Sequence, residues 1–235
     1  MTTNVIIVPS KEYLFGTVII IEMESEDKMI ELEKVLTVLM SRRKCFVSEA
    51  DFQLELAWHI KEIYPNCMVR CEYVPSFDKN MHIDILVIKD DKWYPIELKY
   101  KTSACVINIG NEQYNLKNHG AKDQSCNKYL ADIQRIEKIK ASINNFGRGF
   151  TVFLTNDLSF AKKPQKDNCV YKQFSIHEGA EKQGKLEWGM DASEGTRRGC
   201  TDILLSGKYN CKWKIYSKIS DCKNGEFIYL LNEID

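Results

Sequence analysis

The sequence predicts an α/β protein of the α+β kind, a mixed β-sheet with helices on both faces. Three observations carry this. Ile83-Asp84-Ile85-Leu86-Val87-Ile88 is apolar on both faces, as a strand covered from two sides is. A second strand-like run, Tyr94–Lys101, follows after a short polar turn. Two amphipathic helical segments, residues 48–64 and 129–143, bracket this pair along the chain.

Taken in order, residues 4–8 and 17–23 read as short strands, bounded by Pro9 and Gly16. Residues 27–43 carry a helical apolar face of Met29, Leu32, Val35, Leu36, Leu39 and Met40. Ser48 reads as an N-cap, with Asp51 completing a variant capping box. The helix it opens runs to about Tyr64 and is closed by Pro65-Asn66. Residues 67–74 read as a strand, and the two strands described above follow as a hairpin. Residues 102–125 show no clear period and read as a long loop able to fold over a site. Tyr129–Ile143 turns Leu130, Ile133, Ile136, Ile139 and Ile143 inward. Gly149–Thr155 is a buried strand, and 157–200 is irregular and rich in Lys and Gly. Three strands close the chain, near 201–206, 211–218 and 226–233. The expected organisation is one domain over 1–235, with a core of about 48–156. An N-terminal addition covers 1–45 and a strand-rich extension covers 157–235.

Composition narrows the class. The 33 basic and 33 acidic residues cancel, so no global charge draws the chain to a polyanion. Locally, basic residues outnumber acids after the hairpin, from Lys99 and Lys101 to Arg148. Such a strip beside a carboxylate cluster suits a polyanionic substrate, although for Lys138 and Lys140 a solvated helix face accounts for it equally well. The nine cysteines are odd in number, irregularly spaced and contain no C-x-x-C pair. This argues against a structural zinc site and points to reduced thiols and a cytoplasmic location. No apolar run reaches membrane-spanning length, and Met1–Asn4 lacks the basic start of a signal peptide. No membrane partner is therefore expected.

The hairpin carries the chemistry. Alternate residues of a strand share a face, so Glu97 and Lys99 project side by side. A two-residue loop of Asp90-Asp91 sets Asp84 opposite Glu97; a loop of Asp91-Lys92 sets it opposite Lys99. Either choice puts Asp84 on the same face, whereas a three-residue loop would turn it away. Two carboxylates roughly 5 Å apart in a partly buried place call for a shared cation. Hard oxygen donors suit Mg²⁺ or Mn²⁺. The plainer alternative is an exposed Glu-Lys pair on a wet face. The apolar run around Asp84 weighs against it, because an unpaired charge there is costly.

An aspartate, an E-x-K on the next strand, and the order helix, strand, strand, strand, helix, strand resemble the PD-(D/E)xK nuclease superfamily. Its restriction-endonuclease-like core would span about residues 48–156. The aspartate of the motif falls on Asp84, preceded by Ile83 where the family pattern has Pro, and the E-x-K falls on Glu97-Leu98-Lys99. The phrase Pro95–Lys101 and the later Phe153-Leu154-Thr155-Asn156-Asp157 are similar to a bacterial group of nuclease-like proteins. The resemblance implies a metal-dependent nuclease acting on phosphodiesters, DNA ahead of RNA. Asp84, Glu97 and the Leu98 carbonyl would hold Mg²⁺ or Mn²⁺, and Lys99 would orient the attacking water. Glu49, on the apolar stripe of its helix, either caps that helix or joins the metal set. Glu55 lies at the edge of the stripe, and Glu72 reads as an exposed strand residue. Asp132 and Arg135 are spaced as a surface ion pair, with Arg135, like Lys101, also a candidate for substrate phosphates. The alternative function is an inactive nuclease-like scaffold that binds nucleic acid or protein. A homodimer and a larger defence or repair complex both stay open. No sequence-reading module is recognisable.

Overall fold

The computed structural model describes residues 29–166, 168–220 and 222–235. The strands expected at 4–8 and 17–23, and the first two positions of the helix expected over 27–43, lie outside the described residues. In chain order the elements are α1 (Leu32–Arg42), α2 (Glu49–Ile63), β1 (Met68–Tyr73), β2 (Ile83–Lys89), β3 (Lys92–Lys101), β4 (Cys105–Ile109) and β5 (Glu112–Leu116). There follow α3 (Lys122–Ser142), β6 (Gly149–Thr155), β7 (Glu181–Leu186), the single-turn α4 (Glu194–Arg197), β8 (Ile203–Asn210), β9 (Trp213–Lys218) and β10 (Glu226–Ile234).

A six-stranded sheet of order β1-β2-β3-β6-β10-β9 forms the middle layer. β1, β2 and β3 make an antiparallel meander, α3 crosses over, and β6 returns parallel to β3. The fold is thus α+β with a mixed sheet. One face of the sheet presents Ile85, Val87, Ile96, Leu98, Tyr100, Val152 and Leu154 to α1 and α2. Across the sheet, Phe153 and Leu230 pack with α3 and the β7–β8 pair, and Leu86 packs on Ile139 of α3. Cover on both sides is why β2 and β6 read as continuous apolar runs.

Local chemistry explains the element ends. Ser48 caps α2 by accepting the Asp51 amide, as its position in the sequence implies. Between β2 and β3, Lys89 pairs with Lys92, so the loop is Asp90-Asp91. Both loop residues have positive φ, 51° and 60°, the conformation of a type I′ turn. That turn twists with the strands but favours Asn-Gly, so two aspartates occupy it at a cost.

Three sequence expectations need correction. Residues 102–125 are not a long loop: β4 and β5 form a hairpin around Gly110, and Cys105, Ile107, Tyr114 and Leu116 cover the α1–α2 side of the core. The inward residues alternate, but a stretch of only five residues on each side hides the period. Helix α3 starts at Lys122, seven residues before Tyr129, because polar Ser125 and Asn127 are buried in its first turns, with Asn127 donating to the Thr201 carbonyl at 2.8 Å. The 157–200 stretch holds β7 and α4, and β8 pairs with β7 in a separate two-stranded sheet rather than joining the main one. All nine cysteines are free. No helix among the described residues is long and apolar enough to cross a membrane.

Helix α3 lies close against β6 because Gly149 has no side chain. A β-carbon there would collide with the Ile136 side chain. Gly149→Ala is expected to cost about 1–3 kcal/mol, the usual range for forced overpacking, measured by urea denaturation. In the hairpin turn, Asp91→Gly removes a strained left-handed residue. It should stabilise the protein by about 0.5–1 kcal/mol in the same measurement, and no gain would mean that the strain is absorbed by the Asp91 carbonyl's bond to Asn145.

Candidate active site

The register of the meander decides where the acidic residues go. With Ile85 opposite Ile96, the next step sets Asp84 opposite Glu97. Ile85, Ile96 and Leu98 face α2, so their alternates Asp84, Glu97 and Lys99 all point to the α3 side. The first of the two loop choices is the one observed.

Helix α3 meets them with Asp132 and Arg135. Glu97 Oε2 accepts from Arg135 Nη1 at 2.7 Å. The same nitrogen stands 3.2 Å from Asp132 Oδ1, and Asp132 Oδ2 is 2.7 Å from Lys99 Nζ. The result is an alternating chain of Glu97, Arg135, Asp132 and Lys99. Along it, side-chain exposure is 0% at Glu97, 35% at Arg135, 3% at Asp132 and 14% at Lys99, so Arg135 is the member that reaches solvent. Asp84 is half-buried, and its Oδ2 accepts the Leu98 amide at 2.6 Å. Gln53 of α2 fixes Asp84 from behind by donating to its carbonyl at 2.6 Å.

Burial pushes the carboxyls of Glu97, Asp84 and Asp132 above their ordinary range. Glu97 is raised furthest, since Asp132 and Asp84 add to the effect and Arg135 offsets only part of it. Burial acts to lower Lys99, but Asp132 and Asp84 outweigh it and hold the ammonium charged. Lys99 therefore works here as a fixed cation and a donor, with its Nζ donating to the Leu98 carbonyl at 2.9 Å.

The remaining sequence candidates are placed as follows. Glu49, at the first turn of α2, is partly exposed; its Oε2 accepts the Tyr100 amide at 2.7 Å and lies 3.3 Å from Lys101 Nζ. It thus reaches the end of β3, satisfied by a strand amide and a basic side chain. Lys101 is accordingly paired to Glu49. Glu55 pairs with Arg43, and Glu72 is exposed and accepts from Gln53. Asp132 is the residue that sequence reasoning undervalued. It does pair with Arg135, but as a buried acid at the centre of the cluster rather than a surface one. The signal was available, since Tyr129, Ile136 and Ile139 lie three before, four after and seven after Asp132, on its own buried face.

Among the described residues no group of three or more His, Cys, Asp or Glu side chains stands ready to hold a metal ion. The donor chemistry nevertheless suits one. Glu97 Oε1 is buried without any hydrogen-bond partner, an expensive state for a carboxylate oxygen. Asp84, on the same face, and the Leu98 carbonyl, which accepts from Lys99, are further hard oxygens nearby in the fold, and Mg²⁺ is commonly held by only one or two carboxylates. Comparison of the chain with family models, with curated proteins and with solved structures finds no match.

Glu97 retains its proton to higher pH in the folded chain than in the unfolded one. The stability this contributes is complete below the unfolded value of about 4.3 and is lost as pH rises through the folded value. With chelator present, the stability difference between Glu97→Gln and wild type should therefore shift in favour of the variant as pH increases from 4 to 8. Melting curves across that range test it, and a difference independent of pH would show that Glu97 titrates normally.

Proposed function

We propose that this protein is a metal-dependent phosphodiesterase of the PD-(D/E)xK type acting on nucleic acid, with DNA as the first candidate. The observation that carries the proposal is Glu97: a carboxylate in the centre of a sheet, one oxygen unpartnered, on the same face as Asp84 and Lys99. A purely structural protein gains nothing from such a group, and a hydrophobic residue would pack there more favourably. The meander, the helical crossover and the parallel fourth strand support the same assignment, being the order expected of a restriction-endonuclease-like core.

In this assignment Asp84, Glu97 and the Leu98 carbonyl would hold Mg²⁺ or Mn²⁺. A bound divalent ion supplies Lewis acidity toward the phosphate and a more acidic water. The protein's own groups do the rest. Lys99, kept charged by Asp132, offsets negative charge that develops on the phosphate oxygens. The Leu98 amide keeps the Asp84 carboxylate from rotating out of the site, and Gln53 anchors the Asp84 backbone. Arg135, a third exposed, is the cation of the cluster nearest the surface for an incoming strand. A cytoplasmic setting follows from the free thiols as part of the proposal.

Plasmid and oligonucleotide DNA should be cleaved in Mg²⁺ or Mn²⁺ and left intact in chelator. Glu97→Ala and Asp84→Ala should abolish cleavage, and Lys99→Met should slow it about 10²–10³-fold, with melting curves confirming folded variants. Cleavage that survives in Glu97→Ala would overturn the assignment. Metal-independent binding of nucleic acid without cleavage would instead identify an inactive scaffold.

A further inference from the structure

Arg135 occupies the position from which a cation would neutralise Glu97. Its Nη1 sits 2.7 Å from Glu97 Oε2, within the range of a charge-assisted hydrogen bond. Arg135 is also the most exposed member of the buried chain and has a second anchor, since Asp132 Oδ1 lies 3.2 Å from the same nitrogen. Beside it on α3 opens a groove of about 430 Å³, walled by Gln134 and Lys138 and closed on the far side by Asp78 and Asn80. Lys138 lies in this groove 2.6 Å from Asp78, and its side chain is largely exposed.

Resting on the phosphodiesterase assignment above, we propose that Arg135 is an internal latch. It neutralises Glu97 while the site is empty of metal. It gives up Glu97, keeping Asp132, when it turns into the α3 groove to meet a backbone phosphate of the substrate. Two features of the geometry favour this arrangement over a static salt bridge. A divalent ion on the open Oε1 of Glu97 would stand close to Arg135 on Oε2, crowding two cations onto one buried carboxylate. Asp132 is buried and ion-paired on both sides, to Lys99 and to Arg135, so it stays in place as a pivot when Glu97 is released. Binding of metal and of polyanion are then positively coupled, because each favours the same position of Arg135. Substrate would be needed for full metal affinity, which keeps the site inert between encounters. Arg135 acts on the metal through Glu97 and is in this respect a positioning residue.

The test measures Mn²⁺ binding to the full chain by calorimetric titration, without substrate. Arg135→Gln removes the competing charge and should bind Mn²⁺ about tenfold more tightly than wild type, a modest share of the interaction between unit charges at this separation. Arg135→Lys retains a cation and should stay close to wild type. In a second arm, duplex DNA with phosphorothioate linkages should strengthen Mn²⁺ binding to wild type and have little effect on Arg135→Gln. Melting curves establish that each variant is folded. Equal or weaker Mn²⁺ binding by Arg135→Gln, or an equal gain in Arg135→Lys, overturns the latch. Tighter Mn²⁺ binding with DNA coupling unchanged overturns the hand-over to the groove. Glu97→Gln separates the two levels of inference. Mn²⁺ binding lost in Glu97→Gln but unmoved by Arg135→Gln leaves the phosphodiesterase assignment standing and removes the latch. Mn²⁺ binding that Glu97→Gln does not weaken removes both.

Discussion

The structure depends on keeping a carboxylate in the middle of a covered sheet. Glu97 is buried on β3, between β2 and β6 and beneath α3. Taking an ionised carboxylate out of water is costly unless it is paired. The charged groups nearest to it are arranged around that cost. Arg135 comes from the helix above to pair with Glu97, Asp132 balances Arg135, and Lys99 balances Asp132. Two of these contacts, Arg135 to Glu97 and Asp132 to Lys99, tie α3 to β3. Gly149, by letting Ile136 approach β6, brings the helix near enough for them to form.

The opposite face shows what the sheet is like without that demand. There Phe46, Phe52 and Tyr100 cluster with their ring centroids 4.9–6.3 Å apart, and the α1–α2 pair and the β4–β5 hairpin enclose them. Packing dominates on that side, with the Tyr100 hydroxyl donating to the Phe46 carbonyl. Tyr100 is buried there, while its amide on the strand edge donates to Glu49. One strand thus serves two layers by simple alternation: even-spaced residues from Ile96 to Tyr100 build the core, and Glu97 and Lys99 build the charged cluster. Because the two sets share a backbone, sliding β3 by one residue would exchange core and site completely.

The asymmetry has a functional meaning. The charged cluster lies between β3 and α3, and Arg135, its most exposed member, also lines the groove between α3 and the segment 78–81. A buried, fully satisfied network would be rigid and inert. Here Glu97 Oε1 is left without a partner, so the network is incomplete on its inner end and accessible on its outer end. The open oxygen and the exposed cation motivate both the proposed chemistry and the proposed role of Arg135.

The sequence by itself determined the elements whose signals are local. The hairpin and its polarity followed from the period-two pattern of residues 83–101, and α2 followed from Ser48 and its apolar stripe. The shared face of Asp84, Glu97 and Lys99 was legible for the same reason, since register leaves only two sides. What remained hidden depended on partners distant in the chain. The β4–β5 strands are too short to show a period alone and are held by packing on the α1–α2 side. The early turns of α3 are polar because they meet Thr201, some seventy residues away. Asp132 looked like an exposed helix acid because its partners, Lys99 and the buried surface around Glu97, lie on another element. Whether a charge is solvated or buried is set by what packs over it, and only the tertiary structure decides that.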